Sequence, residues 1–189
     1  SDVYKRQDYA QSLVATFVRT ARDAYHADGS ASELASDLVR SVREGYPFDA
    51  DEAAWVSCDT LLDFTLPGQR DLLYLVLCTL VKNALLAMHT ALPSRPSIRI
   101  EIDGAPGGAV IRVRDNGPGI AQDVLSRLTR EPVTTRSASG GSGMGLVFCQ
   151  RVMTSLGGRV EVRSEPGSGA TVSLYFKFRE EEQTNEVFR

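Results

Sequence analysis

Two glycine motifs constrain the fold of this 189-residue sequence more than any other feature. They read Asp115-Asn116-Gly117-Pro118-Gly119-Ile120 and Gly141-Ser142-Gly143-Met144-Gly145-Leu146. A strand is predicted directly before the first motif, because Ala109, Ile111 and Val113 recur as apolar residues at every second position. The same alternation gives Asp115 an inward-facing position, where a carboxylate costs several kcal/mol unless hydrogen-bond donors satisfy it.

The surroundings of these motifs indicate the two halves of a nucleotide pocket. The exocyclic amine of an adenine is one donor that could satisfy Asp115. Gly143 and Gly145 precede a predicted helix, and the free N–H groups and positive dipole end of a helix favour an anion such as phosphate. The polar stretch over 134–140 is typical of a lid that orders over a bound nucleotide, from which Arg136 could reach a terminal phosphate.

Asn83 is the candidate magnesium ligand. It lies at the rim of the apolar stripe of a predicted helix over 71–91, in one column with Val76, Leu80 and Ala87. A neutral amide oxygen at this position could help to hold a Mg²⁺ ion that keeps most of its waters and bridges phosphates.

Each of these features also has a purely structural interpretation. An asparagine on a buried helix is commonly a satisfied core residue, and a glycine-rich segment before a helix is commonly only a tight loop. Arg136 could be a solvated lid cation. The occurrence of all three sites in one order, with suitable elements between them, favours the nucleotide interpretation.

The remaining pattern predicts an α/β fold, a two-layer sandwich in which helices cover one face of a mixed sheet. Helices are predicted over 8–27, from a capping box of Ser30 and Glu33 to Gly45, over 71–91 and over 145–156. Strands are predicted over 55–58, 61–66, 98–103, 109–115, 159–164 and 170–178. The domain prediction is a helical segment over 1–29, the α/β domain over 30–178 and a polar tail or linker over 179–189.

Composition narrows the class of protein. The net charge of −3 argues against non-specific binding to nucleic acid or to an anionic membrane. No run of about 18 apolar residues is present, so the sequence predicts no membrane span. Three cysteines, an odd number without the spacing of metal ligands, favour a reduced and cytosolic setting.

The ordered motifs resemble the N, G1 and G2 boxes of sensor histidine kinases, whose catalytic domain belongs to the family shared with gyrase, Hsp90 and MutL. The N box corresponds to Asn83-Ala84, and the resemblance covers roughly residues 50–178. Two further segments, 45–48 and 148–153, are similar to those of hybrid quorum-sensing sensor kinases. The resemblance implies the Bergerat ATP-binding fold, three helices over a mixed sheet, with ATP between the helices and the lid.

The resemblance also implies roles for individual residues. Asp115 would accept the adenine amine, and Asn83 would hold Mg²⁺. Together with Arg136 of the polar stretch, Asn83 is a candidate catalytic residue. The other positions implied in ATP binding are Asn116, Gly117, Gly119, Gly141, Ser142, Gly143, Met144, Gly145, Leu146 and Thr171. The strand parity of Thr171 opposes that of its neighbour Val172, so its place near the adenine is the least supported.

The sequence departs from the family pattern at several positions. Thr79 stands where kinases carry a second asparagine and hydrolytic relatives a glutamate, Leu86 replaces a basic residue, and 128–133 replaces a phenylalanine-rich box. No phospho-acceptor histidine box is present. The segment over 8–27 resembles the second helix of a dimerisation hairpin, so homodimerisation through it is an open expectation.

The expected function is that of an ATP-binding catalytic domain that donates the γ-phosphoryl group to a histidine outside this chain. The expected partners are an acceptor helix of the same or a partner subunit, and a receiver domain or response regulator. The expected setting is the cytosolic part of a larger sensor, which could be membrane-bound. Two alternatives remain open, a pseudokinase that only binds nucleotide and an ATPase, which Thr79 makes less suitable because threonine cannot serve as the base for water.

Overall fold

A five-stranded mixed sheet forms one layer of the protein in the computed structural model, which describes residues 33–125, 128 and 144–177. The strands are β1 (Val56–Thr60), β2 (Ile98–Ala105), β3 (Gly108–Asp115), β4 (Arg159–Ser164) and β5 (Ala170–Lys177). Their order in the sheet is β1-β2-β3-β5-β4, with β1 parallel to β2 and every other pair antiparallel. The predicted two-layer α/β sandwich is confirmed.

Helices pack on one face of this sheet. They are α1 (Ala35–Gly45), α2 (Glu52–Trp55), α3 (Arg70–Ala91), α4 (Gln122–Leu125) and α5 (Met144–Ser155). The long helix α3 is central, since it contacts α1, α5, β2 and β3. It also connects the parallel strands β1 and β2, which cannot be joined by a tight turn.

The core lies between the sheet and the helices, and the period-two pattern of the strands explains it. Cross-strand neighbours on the inner face are buried, and they include Ile98, Ile100, Ile102, Ile111, Val113, Leu174 and Phe176. Ten side chains of α3 are also buried. By length and composition α3 is apolar enough to cross a membrane, but its buried contacts identify it as the central helix of this layered fold.

The outer face of the sheet carries mainly charged residues. Arg112 donates to Glu101 at 2.6 Å and to Asp103 at 3.2 Å, so one guanidinium bridges two carboxylates across neighbouring strands. Arg159 stacks over the ring of Tyr175 at 3.9 Å from the ring centroid. These groups keep this face solvated, and ion pairs of this kind add little stability.

Two local predictions are wrong. The segment over 61–66 forms no strand beyond one isolated bridge between Leu34 and Thr65. The helix start predicted from the capping box is also wrong, because α1 begins at Ala35 and Glu33 pairs with Arg70, while Ser30 lies outside the described residues. Both errors have one cause, since the loop before α3 caps α1 from a distance: Asp63 accepts the Ser36 backbone N–H at 3.1 Å and its hydroxyl at 2.5 Å.

The other element boundaries agree closely with the sequence pattern. The first strand is displaced, because residues 52–55 form the short helix α2 and β1 begins at Val56. The hairpin between β2 and β3 turns at residues 106–107. The predicted helix over 8–27 and the tail over 179–189 lie outside the described residues.

Leu77 offers a test of the central position of α3, since its side chain is 0% exposed. We expect Leu77→Ala to lower the free energy of unfolding by about 2–5 kcal/mol, because it removes buried methyl groups and leaves a cavity. Leu61 is 68% exposed, and Leu61→Ala should change that free energy by less than about 0.5 kcal/mol. Urea denaturation followed by circular dichroism measures both, and equal losses would contradict this packing.

Candidate functional site

Asp115 is the last residue of β3 and its side chain lies on the inner face of the sheet, as the alternation predicts. Its Oδ1 atom accepts the backbone N–H of Gly117 at 2.9 Å and that of Ala170 at 3.3 Å. Its Oδ2 atom has no hydrogen-bond partner among the residues that the structure describes. Within the described part of the chain, the carboxylate therefore has one oxygen available to a ligand at the end of a buried strand.

Burial raises the pKa of Asp115, and the two backbone hydrogen bonds oppose that rise only in part. The half-buried carboxylate thus lacks the solvation that an exposed aspartate has. A ligand that donates a hydrogen bond to Oδ2 would replace part of this missing solvation. An exocyclic amine is a suitable donor, so the site passes this test for an adenine.

The loop after Asp115 packs against α3, close to Asn83. A Cβ atom at Gly117 would lie 2.9 Å from Ala87 Cβ and 3.0 Å from Met88 Cε. Ala87 follows Asn83 by four residues, or about 6 Å along the helix axis. Asp115 and Asn83 therefore lie on the same side of α3.

Asn83 in turn faces the start of α5. A Cβ atom at Gly145 would lie 3.6 Å from Asn83 Nδ2 and 4.0 Å from Asn83 Oδ1. The Asn83 side chain is exposed and makes no hydrogen bond to any other described residue. An amide oxygen without a partner among the described residues is a suitable ligand for a Mg²⁺ ion, which takes few protein ligands and retains several waters.

Thr79 lies one turn before Asn83 and also faces Gly145. Its Cγ2 methyl is 3.1 Å from the position of a Gly145 Cβ, while its hydroxyl donates to the backbone oxygen of Leu75 at 2.7 Å. The hydroxyl is therefore turned back along the helix, and the methyl group is the part of Thr79 that meets the start of α5.

Two predicted residues are not brought to this cluster. The Asn116 amide is committed elsewhere, since it donates to the Arg95 oxygen at 2.8 Å and accepts the Ser97 N–H at 2.9 Å. Thr171 pairs with Arg114, so its side chain lies on the outer face, whereas Ala170 lies beside Asp115. Strand parity at Ala170 was the signal that could have identified this position from the sequence.

Two glycines let the first motif touch the turn between β4 and β5. Gly119 has φ +71°, and a Cβ there would lie 2.0 Å from the Glu165 oxygen. Gly169 has φ +79°, and a Cβ there would lie 2.0 Å from the Asp115 oxygen. Only glycine fits such backbone conformations and contacts without strain. The turn thus holds the backbone from which Asp115 extends.

The rest of the second motif is described only from α5 onwards. Met144 begins the helix and Leu146 packs against the core. Gly141, Ser142 and Gly143 lie outside the described residues, as does Arg136. The described groups nevertheless unite the N box, the first motif and the start of α5 around one side of α3.

This fold and site define a nucleotide-binding domain of the class that serves histidine kinases, gyrases and Hsp90-type ATPases. Residues 68–180 match the model of the histidine kinase-, DNA gyrase B-, and HSP90-like ATPase family. The chain belongs to this family.

Sensor kinases are among its relatives. The chain is 36% identical over 116 residues to the autoinducer 1 sensor kinase/phosphatase LuxN of Vibrio campbellii. The matched region covers 60% of the chain and 13% of LuxN. The chain is 38% identical over 110 residues to the C4-dicarboxylate transport sensor protein DctB of Rhizobium meliloti, covering 58% of the chain and 17% of DctB. It is 33% identical over 120 residues to the CAI-1 autoinducer sensor kinase/phosphatase CqsS of Vibrio cholerae, covering 64% of the chain and 17% of CqsS. The chain therefore spans less than a fifth of the length of these relatives.

Among solved structures, the catalytic domain of the histidine kinase ThkA superposes with a TM-score of 0.62 at 18% identity. The match covers 78% of this chain and 96% of that domain. The fold is therefore that of a histidine kinase catalytic domain.

Gly169 and Gly167 form a matched pair for testing the close approach at the site. Both have positive φ, +79° and +81°, but a Cβ at Gly167 meets nothing within 4 Å. We expect Gly169→Ala to lower the free energy of unfolding by about 1–3 kcal/mol more than Gly167→Ala, because it adds steric overlap to the same backbone strain. Thermal denaturation of the two variants measures the difference. Equal melting temperatures would show that the turn does not press on Asp115.

The raised pKa of Asp115 predicts the stability of Asp115→Asn without ligand. A carboxyl whose pKa is raised by folding binds its proton more tightly in the folded state. Stability is therefore lost as pH rises from the ordinary range of aspartate through the raised pKa. We expect Asp115→Asn to melt at or above the wild-type temperature at pH 7, and this advantage to disappear at pH values below the ordinary range. A lower melting temperature for the variant at pH 7 would contradict this.

Proposed function

We propose that this chain is the ATP-binding catalytic domain of a sensor histidine kinase, and that it donates the γ-phosphoryl group to a histidine outside the chain. The observation that carries the proposal concerns Oδ2 of Asp115 and the amide of Asn83, neither of which has a hydrogen-bond partner among the described residues. Both lie on the same side of α3 as the start of α5. This arrangement suits a ligand with a hydrogen-bonding base at one end and phosphates at the other.

The adenine amine donates to Asp115 in the proposed complex. The phosphates lie toward the second motif, Gly141 to Leu146, where the α5 N–H groups and helix dipole favour negative charge. Asn83 would hold Mg²⁺, which would supply neutralisation of the phosphate charge. Arg136 remains our proposed lid cation for the terminal phosphate.

Phosphoryl transfer suits these groups better than hydrolysis does. A neutral imidazole is already nucleophilic, so its nitrogen can attack the γ-phosphorus as the bond to the β-phosphate oxygen breaks and ADP leaves. Water would need a base, and the Thr79 hydroxyl is committed to the Leu75 oxygen. Catalysis then consists of positioning and charge stabilisation by Asn83, the start of α5 and Arg136.

The proposed setting follows the relatives, whose names describe sensor proteins and autoinducer sensor kinases. We propose a cytoplasmic catalytic domain of a larger sensor, with an acceptor helix of the same or a partner subunit. A receiver domain or response regulator would then take the phosphoryl group onward in a phosphorelay. Homodimerisation through 8–27 remains a proposal. The net charge of −3 gives no support for nucleic acid as a partner.

One observation favours a second candidate, a pseudokinase. Thr79 presents only a methyl group to the start of α5, so the described part of the site offers a single amide as a metal ligand. Such a domain would bind ATP but transfer nothing to an acceptor. Binding and transfer therefore need separate measurements.

The first experiment titrates a non-hydrolysable ATP analogue with and without Mg²⁺ by calorimetry. We expect the wild type to bind. We expect Asp115→Asn to weaken binding at least about tenfold under both conditions, because the –NH2 group in the place of Oδ2 cannot accept a hydrogen bond from the adenine amine. Asn83→Ala should remove only the gain that Mg²⁺ provides. Thr90→Ala, farther along the same helix, is the control and should bind like the wild type. Wild-type protein that binds no analogue at millimolar concentration would overturn the proposal.

The second experiment tests transfer. Radiolabelled ATP is added to the chain alone and together with an acceptor hairpin from one of the sensor kinases it resembles. We expect little ATP turnover and no label on this chain alone, and an acid-labile label on the hairpin. Binding without labelling of any acceptor would favour the pseudokinase, and rapid release of phosphate would favour an ATPase.

A further inference from the structure

Ser164 lies in the same cross-strand row as Asp115, on the inner face of the sheet. The row runs from Asp115 on β3 through Ala170 on β5 to Ser164 on β4. Two strand spacings, about 9–10 Å, therefore separate Ser164 from the carboxylate. The small side chain of Ala170 is the only one between them in this row.

The hydroxyl of Ser164 ties two loops together. Its Oγ atom accepts the backbone N–H of Ile120 at 2.9 Å and donates to the backbone oxygen of Gly169 at 2.6 Å. Ile120 ends the motif that begins with Asp115, and Gly169 contacts the Asp115 backbone. One side chain thus joins both ends of the loop that carries the carboxylate.

The backbone of Ser164 extends this connection to the residues that follow the first motif. Its carbonyl oxygen accepts a hydrogen bond from Gln122 Nε2 at 3.3 Å. Gln122 is the first residue of α4, which follows the first glycine motif directly in the chain. Ser164 therefore contacts both the end of the first motif, at Ile120, and the start of α4, at Gln122.

The other contacts between the first motif and the turn after β4 do not replace the hydrogen bonds of the Ser164 hydroxyl. The Gly167 N–H donates to the Pro118 oxygen at 2.7 Å, and Gly119 meets Glu165, but both of these contacts are made by backbone atoms. In the described part of the chain, the Ile120 N–H has Ser164 Oγ as its hydrogen-bond acceptor. Removing the hydroxyl would take away the partner of a half-buried donor, the Ile120 N–H, and of an acceptor on the buried residue Gly169.

We propose that Ser164 is a positioning residue for the nucleotide site. Its hydroxyl holds the loop from Asp115 to Ile120 in the conformation that binds adenine. This inference rests on the proposed function. Ser164 acts through the loop rather than on the nucleotide, since its hydroxyl already donates to Gly169 and accepts from Ile120. Loss of the Ser164 hydroxyl should therefore lower the affinity for nucleotide while the chain still folds.

The test compares wild type, Ser164→Ala and Ser164→Thr in calorimetric titrations with the ATP analogue and Mg²⁺, well below the melting temperature. We expect Ser164→Ala to raise the Kd about tenfold, the effect of one or two lost hydrogen bonds, and Ser164→Thr to restore binding. Ser155→Ala is the matched control. Its hydroxyl also bonds a backbone oxygen, that of Val152 at 2.7 Å, but at the far end of α5. It should leave the Kd unchanged.

Amide hydrogen exchange supplies a readout that general destabilisation would not reproduce. We expect the Ile120 amide to exchange faster in Ser164→Ala while the amides of β3 keep their protection, and Ser164→Thr to restore it. If Ser164→Ala does not fold, Ser164→Cys keeps the volume, weakens both hydrogen bonds and should shift Kd and exchange in the same direction.

The outcomes separate this inference from the proposed function. A wild type that binds, together with a folded Ser164→Ala or Ser164→Cys that binds equally well, would overturn the positioning role alone. A wild type that binds no nucleotide would overturn the proposed function and this inference with it. Equal loss of affinity in Ser164→Ala and Ser155→Ala would indicate general destabilisation and would also overturn the inference.

Discussion

The burial of α3 is the constraint on which the rest of the structure depends. Ten of its 22 residues are buried, and α1, α5 and the inner face of the sheet supply the surfaces that bury them. Removing apolar area from water at about 25 cal/mol per Å² makes this the main source of stability in such a layered domain. The same helix presents Asn83 at its exposed rim. Stability and the candidate site therefore share one element, and the packing of α3 sets where the amide lies.

Much of the fold could be predicted from the sequence because its signals are local. Alternation of apolar residues over β2 and β3 fixed which side chains face inward, including Asp115, and a wide apolar face marked α3. The cap of α1 could not be predicted in this way, because Asp63 reaches Ser36 across 27 positions of sequence. The apolar residues of the loop that supplies Asp63 accordingly predict a strand, which the structure does not form.

The candidate site shows the same limit. Joint motifs located Asp115, Asn83 and Gly145, and the structure brings these three together. The role of Asn116 was less accessible, since an amide in a turn can bind a ligand or brace a neighbouring loop, and only the fold shows Arg95 and Ser97 within its reach. Thr171 illustrates how parity outweighs motif position, because a one-residue difference exchanges the two faces of a strand.

The groups around Asp115 come from segments that are far apart in the chain: α3, the end of β3, the start of α5 and the turn between β4 and β5. A fragment with only one or two of these segments lacks part of the site. We therefore expect a partly folded chain not to bind nucleotide. A ligand that binds only the native state stabilises it by mass action. Bound nucleotide would then slow the proteolysis of this domain that depends on unfolding. The lifetime of the domain would be longer when nucleotide is abundant in the cell and shorter when it is scarce.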